Sequence, residues 1–473
     1  MKKFALFFKN RKFLTLIFFL SLILAYPTLI ITKEIFIIDK NSKIIKSLKN
    51  FKISLQNFQD KKENISPQNL QNKKENISPE KLNCLDEKDI IKSAWHCINK
   101  EIFPANEFLY DYYSAEIETF KLPGGYIELF KKSKIIGTNG KGEMFIYNPK
   151  EKSIKSHPSN LDDIYEDQKF KVFRSNTWGR FGVKDIYLDE ENNQIYASLT
   201  VDTNGKGCYG MAIYKADFIF NKRKNLKKLN FKEFFKTDAC NENFGGHGGG
   251  GRIDKFNEDI IFTVGSLDFE AEIINPDQYL PEKSSNSLGK VISINPSGEY
   301  KVLSKGHRNP QGLVVIRDKI FITEHGPKGG DEINIIEGKN HYGWPFYSYG
   351  VEYDDTLRYR YPHAGRYQKP SFYFTPSIAV SQIIFYQGDE FPYWKNKFLV
   401  TSLKYKSLFL MDFDFENNKF ISSERIEIDH RIRDLELSSE GEIIIITDDQ
   451  KILNLSRPEN DFLKETNQWD LPI

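Results

Sequence analysis

The chain has 473 residues, with 67 Lys and Arg against 65 Asp and Glu, a formal net charge of +2. That length allows a large core and more than one compact unit. The balanced charge leaves no electrostatic footprint for nucleic acid, so no nucleic-acid partner is expected.

The N-terminus is basic: MKKFALFFKNRK carries five Lys or Arg and no acid. FLTLIFFLSLILAYPTLIIT follows at residues 13–32, twenty residues without a charge. That run is long enough to cross a bilayer as a helix, and Pro27 is tolerable within it. A secretory signal peptide has a shorter apolar region and ends in small residues at a cleavage site, and no Ala-x-Ala follows here. Residues 1–32 therefore read as a cytoplasmic stub and an uncleaved signal anchor. A basic flank stays in the cytoplasm, which puts the remainder outside. The expected location is a bacterial inner membrane, crossed once, with the bulk of the chain on the periplasmic side.

Residues 33–104 read as a polar linker. KKENISP occurs at 61–67 and again at 73–79, in a stretch too poor in apolar residues to build a core. Two copies are too few for a solenoid. The four cysteines are Cys84, Cys97, Cys208 and Cys240. An even count in an exported chain suggests disulfides, and three pairings are open. The nearest-neighbour choice is Cys84–Cys97 with Cys208–Cys240. None has metal-site spacing.

From residue 105 to 473 the texture changes to short apolar or alternating runs bounded by turn residues. Examples are GEMFIYNPK (142–150), NNQIYASLTVDTNG (192–205), EDIIFTVGS (258–266), KVISINPSG (290–298), DKIFITEHG (318–326), NKFLVTSLK (396–404) and GEIIIITDD (441–449). Their period is that of strands, and long amphipathic helices are missing. The fold class is all-β. A sandwich, a barrel and a propeller all fit many short strands, and the recurring strand, polar turn and strand suits propeller blades best.

Three runs carry candidate chemistry. KGHRNPQGLVV, residues 305–315, places Arg308 and Asn309 on a Pro-Gly turn before a strand. An Arg fork there suits a carboxylate or phosphate. EHGPKGGDEINIIEGKNHYGWP, residues 324–345, sets Asp331 and Glu332 behind Gly326, Gly329 and Gly330. Hard cations take carboxylates together with carbonyls bared by such turns, although an acidic Gly-rich turn is often only a turn. NFGGHGGGGRID, residues 243–254, puts His247 among glycines, where it could serve as a general base or belong to a surface loop.

Together these runs resemble the soluble glucose dehydrogenase, or glucose/sorbosone dehydrogenase, family. The resemblance spans roughly residues 140–450 and is dense over 289–345. It implies a six-bladed β-propeller that uses pyrroloquinoline quinone (PQQ) and Ca²⁺. It implies quinone contacts from Arg308 and Asn309, from Lys404 in FLVTSLK, and from Arg431 and Arg433 in HRIRDLEL. PQQ carries three carboxylates, so several fixed cations make chemical sense. The family's calcium positions fall on Gly326, Pro327, Asp331, Glu332 and Tyr342. His247 stands near the place of the family's catalytic base, which takes a proton from a sugar hydroxyl as hydride passes to the quinone.

Several positions depart from that pattern. Four residues separate His247 from Arg252, where the family has three. Ser266 stands where the family has its supporting Asp, with Asp268 two residues on. Arg180 aligns with a Gln beside the quinone, and Val380, Ser381 and Gln382 replace a Pro-Ser-Gly. The implied activity is oxidation of an aldose or related alcohol. Electrons would pass to a quinone or redox-protein acceptor, and a homodimer is possible for the family. The alternative is a non-catalytic, calcium-ordered binding propeller. A metal-dependent propeller hydrolase ranks last, for want of an evident carboxylate set.

Overall fold

The computed structural model describes residues 125–168, 170, 181–269, 280–338, 340–351, 366–449 and 451–456. It adds the strand backbone of β1 (Trp95–Ile98), β2 (Glu101–Pro104) and β3 (Ala115–Glu116). Residues 13–32, the KKENISP repeat, Cys84 and Arg180 lie outside the described residues. Among those described, no helix is long and apolar enough to cross a membrane. β1 and β2 pair antiparallel within the stretch read as linker.

Six four-stranded antiparallel sheets make a six-bladed β-propeller. Blade 1 is β4 (Gly125–Phe130), β5 (Lys134–Asn139), β6 (Met144–Asn148) and β7 (Ser153–His157). Blade 2 is β8 (Val183–Asp189), β9 (Gln194–Asp202), β10 (Tyr209–Asp217) and β11 (Lys232–Lys236). Blade 3 is β12 (Gly250–Phe256), β13 (Asp259–Val264), β14 (Lys290–Ile294) and β15 (Tyr300–Lys305). Blade 4 is β16 (Pro310–Ile316), β17 (Lys319–Glu324), β18 (Asp331–Ile336) and β19 (Phe372–Phe374). Blade 5 is β20 (Val380–Tyr386), β21 (Lys397–Ser402), β22 (Ser407–Asp414) and β23 (Lys419–Glu427). Blade 6 is β24 (Ile432–Leu437), β25 (Ile443–Thr447) and β26 (Lys451–Leu455), completed by β3, which pairs with β26. The ring is thus shut by a strand from far earlier in the sequence.

The first strand of each blade touches the first strands of its neighbours in a closed circle, so these six strands line the axis. The core is divided to match. One apolar cluster fills each of the six gaps between adjacent blades. A middle strand is therefore buried on both faces, which is why Lys290–Ile294 and Ile443–Thr447 are buried at every position. All seven runs read as strands from the sequence are strands here. Of the expected disulfides, Cys208–Cys240 is present. The Cys84–Cys97 pairing lies outside the described residues.

Candidate active site

Five of the six axial strands share an irregularity. In β8, β12, β16, β20 and β24 the pairing with the next strand slips near the N-terminal end. The slips fall at Lys184, Gly251–Arg252, Gln311, Ser381–Gln382 and Arg433. Bulges of this kind bend a strand and re-aim its side chains. Here they concentrate polar residues at one end of the axis. At the β12 bulge Gly251 has φ +113°, and a Cβ there would stand 2.4 Å from Lys184 Cβ, so glycine is required.

Arg252 lies across this end of the axis. Its Nη1 donates to Asp185 (2.9 Å) and Asp434 (3.0 Å), its Nε to the Gln311 carbonyl (2.6 Å) and its Nη2 to the Arg433 carbonyl (3.3 Å). Four blades meet on one guanidinium, which is 2% exposed. Burial alone would drive these charges toward neutrality. Attraction to Asp434 and Asp185 outweighs it and holds Arg252 charged. Asp185 is pushed up to about 7 by burial, against the pull of Arg252.

The candidate quinone residues surround this network. Arg308 donates through its backbone N–H to Glu324 (2.9 Å) and through Nη1 to the Gly326 carbonyl (3.2 Å), and its guanidinium lies 5.2 Å from the Trp344 ring centre. Asn309 is buried, and its Oδ1 accepts from Gly250 N (3.2 Å) and Gln311 Nε2 (2.8 Å). Arg431 and Arg433 both grip Asp448, Arg431 by Nε (3.0 Å) and Arg433 by Nε (2.9 Å) and Nη2 (3.1 Å). Arg431 Nη1 also donates to the Leu403 carbonyl (3.2 Å), which brings Lys404 alongside. Lys404 is exposed and has no carboxylate partner among the described residues.

The five candidate calcium residues divide. Gly326 and Pro327 form the turn that closes on Asp331, where a Cβ on Gly326 would stand 2.3 Å from Gly329 O. The Asp331 carboxylate is committed: it accepts from Gly326 N (3.1 Å), Ala379 N (2.6 Å), Val380 N (3.3 Å) and the Ser377 hydroxyl. The Tyr342 hydroxyl donates to the Ile335 carbonyl and accepts from Glu337 N. Glu332 is the carboxylate that remains. It lines a small hollow with Glu324, His325, Gly326, Tyr342 and Trp344. Among the described residues one side-chain hydrogen bond reaches the Glu332 carboxylate, from Asn334 Nδ2 (3.1 Å), which also bonds Glu324 (2.7 Å). Burial first, then the Glu324 charge, pushes the Glu332 carboxyl well above the usual range. The buried Asn334 Oδ1 has no hydrogen-bond partner among the described residues. An added cation would relieve each of these features, so Glu332 fits calcium and Asp331 does not. No three His, Cys, Asp or Glu among the described residues are grouped as metal ligands, so carbonyls would have to complete the shell.

His247 is exposed on the loop leading into β12. Asp268, two residues beyond Ser266, contacts the backbone of this loop. Asp268 Oδ2 accepts the backbone N–H groups of Gly245 (2.8 Å) and His247 (3.3 Å). Ser266 is buried and its N–H donates to the Arg308 carbonyl (2.9 Å), so the His247 loop and Arg308 share one end of the ring.

Sequence reasoning missed four participants. Glu324 and His325 sit inside the acidic run and were legible there as polar residues at a strand end. Burial lowers the His325 pKa, and its Nε2 pairs with the Val380 carbonyl (2.5 Å). Asp448 and Asp185 carried no local signal and are found only through the fold.

A profile of the family described as Glucose / Sorbosone dehydrogenase matches residues 126–454. An uncharacterized protein of Synechocystis sp. is 31% identical over 218 residues, covering 41% of this chain and 51% of that protein. An aldose sugar dehydrogenase of Escherichia coli is 35% identical over 184 residues, covering 34% of this chain and 48% of that protein. The matched stretch thus spans about half the length of each relative. The crystal structure of a glucose dehydrogenase superposes with a TM-score of 0.60 at 20% identity, over 74% of this chain and 100% of that one. At that identity the likeness speaks for the fold alone.

Proposed function

The chain belongs to the glucose/sorbosone dehydrogenase family, and from that premise we propose that it is a PQQ- and calcium-dependent dehydrogenase that oxidises an aldose sugar or related alcohol. The observation that carries the reading is a group of four cations gathered at one end of the axis. Arg308, Lys404, Arg431 and Arg433 stand at the bulged end, and one carboxylate, Asp448, is shared by the last two. Guanidinium and ammonium groups clustered in this way suit a polycarboxylate.

When bound, PQQ supplies the acceptor for the two electrons that leave the sugar carbon. The protein's own residues bind, orient and move the proton. Arg308, Arg431, Arg433 and Lys404 would hold the cofactor's carboxylates, and Asn309 would fix its edge by hydrogen bonding. Glu332, with the Gly326 and Pro327 carbonyls, would hold calcium. His247 would take the hydroxyl proton, in a loop whose backbone Asp268 braces. Residues 13–32 would anchor the chain in a bacterial inner membrane with the propeller in the periplasm. Electrons would then leave to a quinone or redox protein, and a homodimer is compatible with the family.

A second reading keeps the calcium-ordered propeller and removes the chemistry. It is favoured by Asp268, whose Oδ2 accepts from backbone N–H groups of the His247 loop. Full-length protein mixed with PQQ and Ca²⁺ separates the two. The dehydrogenase reading expects bound-cofactor absorbance and dye reduction with an aldose, lost in His247→Ala. Cofactor binding without turnover on any aldose leaves the binding propeller, and no cofactor absorbance ends the dehydrogenase reading.

A further inference from the structure

Asp448 is the acid that two of the candidate cofactor cations, Arg431 and Arg433, share, and its role there has two possible signs. As a charge, it weakens the attraction of the site for an anion. As a geometric device, it strengthens it. The contacts favour the second. Its side chain is 10% exposed, and both oxygens are occupied by guanidinium N–H groups, from Arg433 on two atoms and Arg431 on one. Its backbone N–H donates to the Arg431 carbonyl (2.9 Å), so the acid and the arginine it holds are also tied through the main chain.

Arg433 is fixed at both ends. Its carbonyl accepts from Arg252 Nη2 (3.3 Å) and from the Ser381 hydroxyl (2.5 Å). Its guanidinium rests on Asp448 in a two-point fork, the geometry in which an arginine loses the least freedom per bond. A guanidinium offers five N–H groups. With Nε and Nη2 given to Asp448, the Arg433 Nη1 group is left over. With Nε and Nη1 given to Asp448 and Leu403, the Arg431 Nη2 group is left over. Each fork thus keeps N–H groups that Asp448 and Leu403 do not take. Lys404 follows Leu403 directly and adds a third cation.

We propose that Asp448 is a positioning residue of the anion site: it aims Arg431 and Arg433 so that their remaining N–H groups meet the carboxylates of the cofactor. This rests on the PQQ reading above. Partners that orient a primary ligand, in metal sites, change affinity about 10–100-fold when lost.

Equilibrium titration of the full chain with PQQ in the presence of Ca²⁺, alongside thermal unfolding, tests it. Asp448→Asn removes the charge at nearly constant shape, and Asp448→Glu keeps the charge but lengthens the arm. Positioning expects both variants to bind PQQ about 10-fold more weakly or worse, at temperatures where both are folded. A pure charge role expects Asp448→Asn to bind more tightly and Asp448→Glu to match the wild type, and either result overturns the assignment. If neither variant folds, Asp448 is a folding residue and the assignment also falls. A wild-type chain that binds no PQQ removes the cofactor reading itself, an outcome distinct from wild-type binding that the variants leave unchanged.

Discussion

Asp331 and Glu332 are chain neighbours with opposite surroundings. In the sequence they read as one acidic pair. On β18 their side chains point to opposite faces, because consecutive strand residues alternate. Asp331 faces the start of blade 5 and is consumed there by backbone N–H groups and Ser377. Glu332 faces the hollow with Glu324. Side chains on opposite faces of a strand do not converge on one ion, a constraint that the residue types alone do not carry. The residue types were legible; their division between two faces needed the register. Ca²⁺ is therefore expected to raise the thermal midpoint of the wild-type chain, by the general stabilisation a ligand gives the state that binds it. Glu332→Gln should lose that increment. Differential scanning calorimetry with and without Ca²⁺ checks it, and an undiminished Ca²⁺ effect in Glu332→Gln would exclude Glu332 as a ligand.

At the level of strands, legibility follows burial. The seven runs recognised in the sequence are interior strands of their blades, apolar on both faces. The axial strands are harder to read because bulges interrupt their period and polar residues face the axis. HRIRDLEL shows this: Arg433 occupies the bulge, and Asp434 turns inward to Arg252. The His247 loop is held by means that spacing does not reveal. Cys240, bonded to Cys208, precedes Asn241, whose backbone pairs with Tyr209 and whose Nδ2 donates to the Leu267 carbonyl (2.8 Å). Asp268 then takes the N–H groups further along. Opening a disulfide that spans 32 residues should cost about 2–4 kcal/mol of stability. In a Cys208→Ser/Cys240→Ser chain, the midpoint should fall. Turnover should fall more than PQQ affinity does, because the loop carries the base and not the cofactor cations. Equal loss of both would show that the disulfide supports the whole ring and not the loop.

The whole molecule concentrates acids along its axis. Glu128, Asp254 and Glu436 stand on the axial strands of blades 1, 3 and 6, and burial raises the pKa of each. Asp254 is pushed from 3.8 to about 7, while its oxygens accept Val315 N (2.7 Å) and Lys255 N (2.6 Å). These acids sit where a metal-dependent hydrolase would need ligands. Yet Asp185 and Asp434 are already paired with Arg252, and no metal-ligand group forms among the described residues. A carboxyl whose pKa is higher in the folded than in the unfolded chain stabilises the fold while protonated. Its contribution is complete below the unfolded pKa near 4 and is lost as pH rises through about 7. The stability of Asp254→Asn relative to wild type should therefore improve from pH 4 to pH 8, whatever constant cost the substitution carries. Thermal midpoints of the two proteins across that range check this, and a pH-independent difference would contradict it. The closure of the ring also has a consequence for how the chain is made. Blade 6 joins Ala115–Glu116 to Lys451–Leu455, so a strand synthesised early is paired only after the last blade has emerged. Until then the facing sides of blades 1 and 6 keep their apolar residues uncovered. Translation halted before that point leaves an open arc with exposed edges, a natural target for chaperones and proteases.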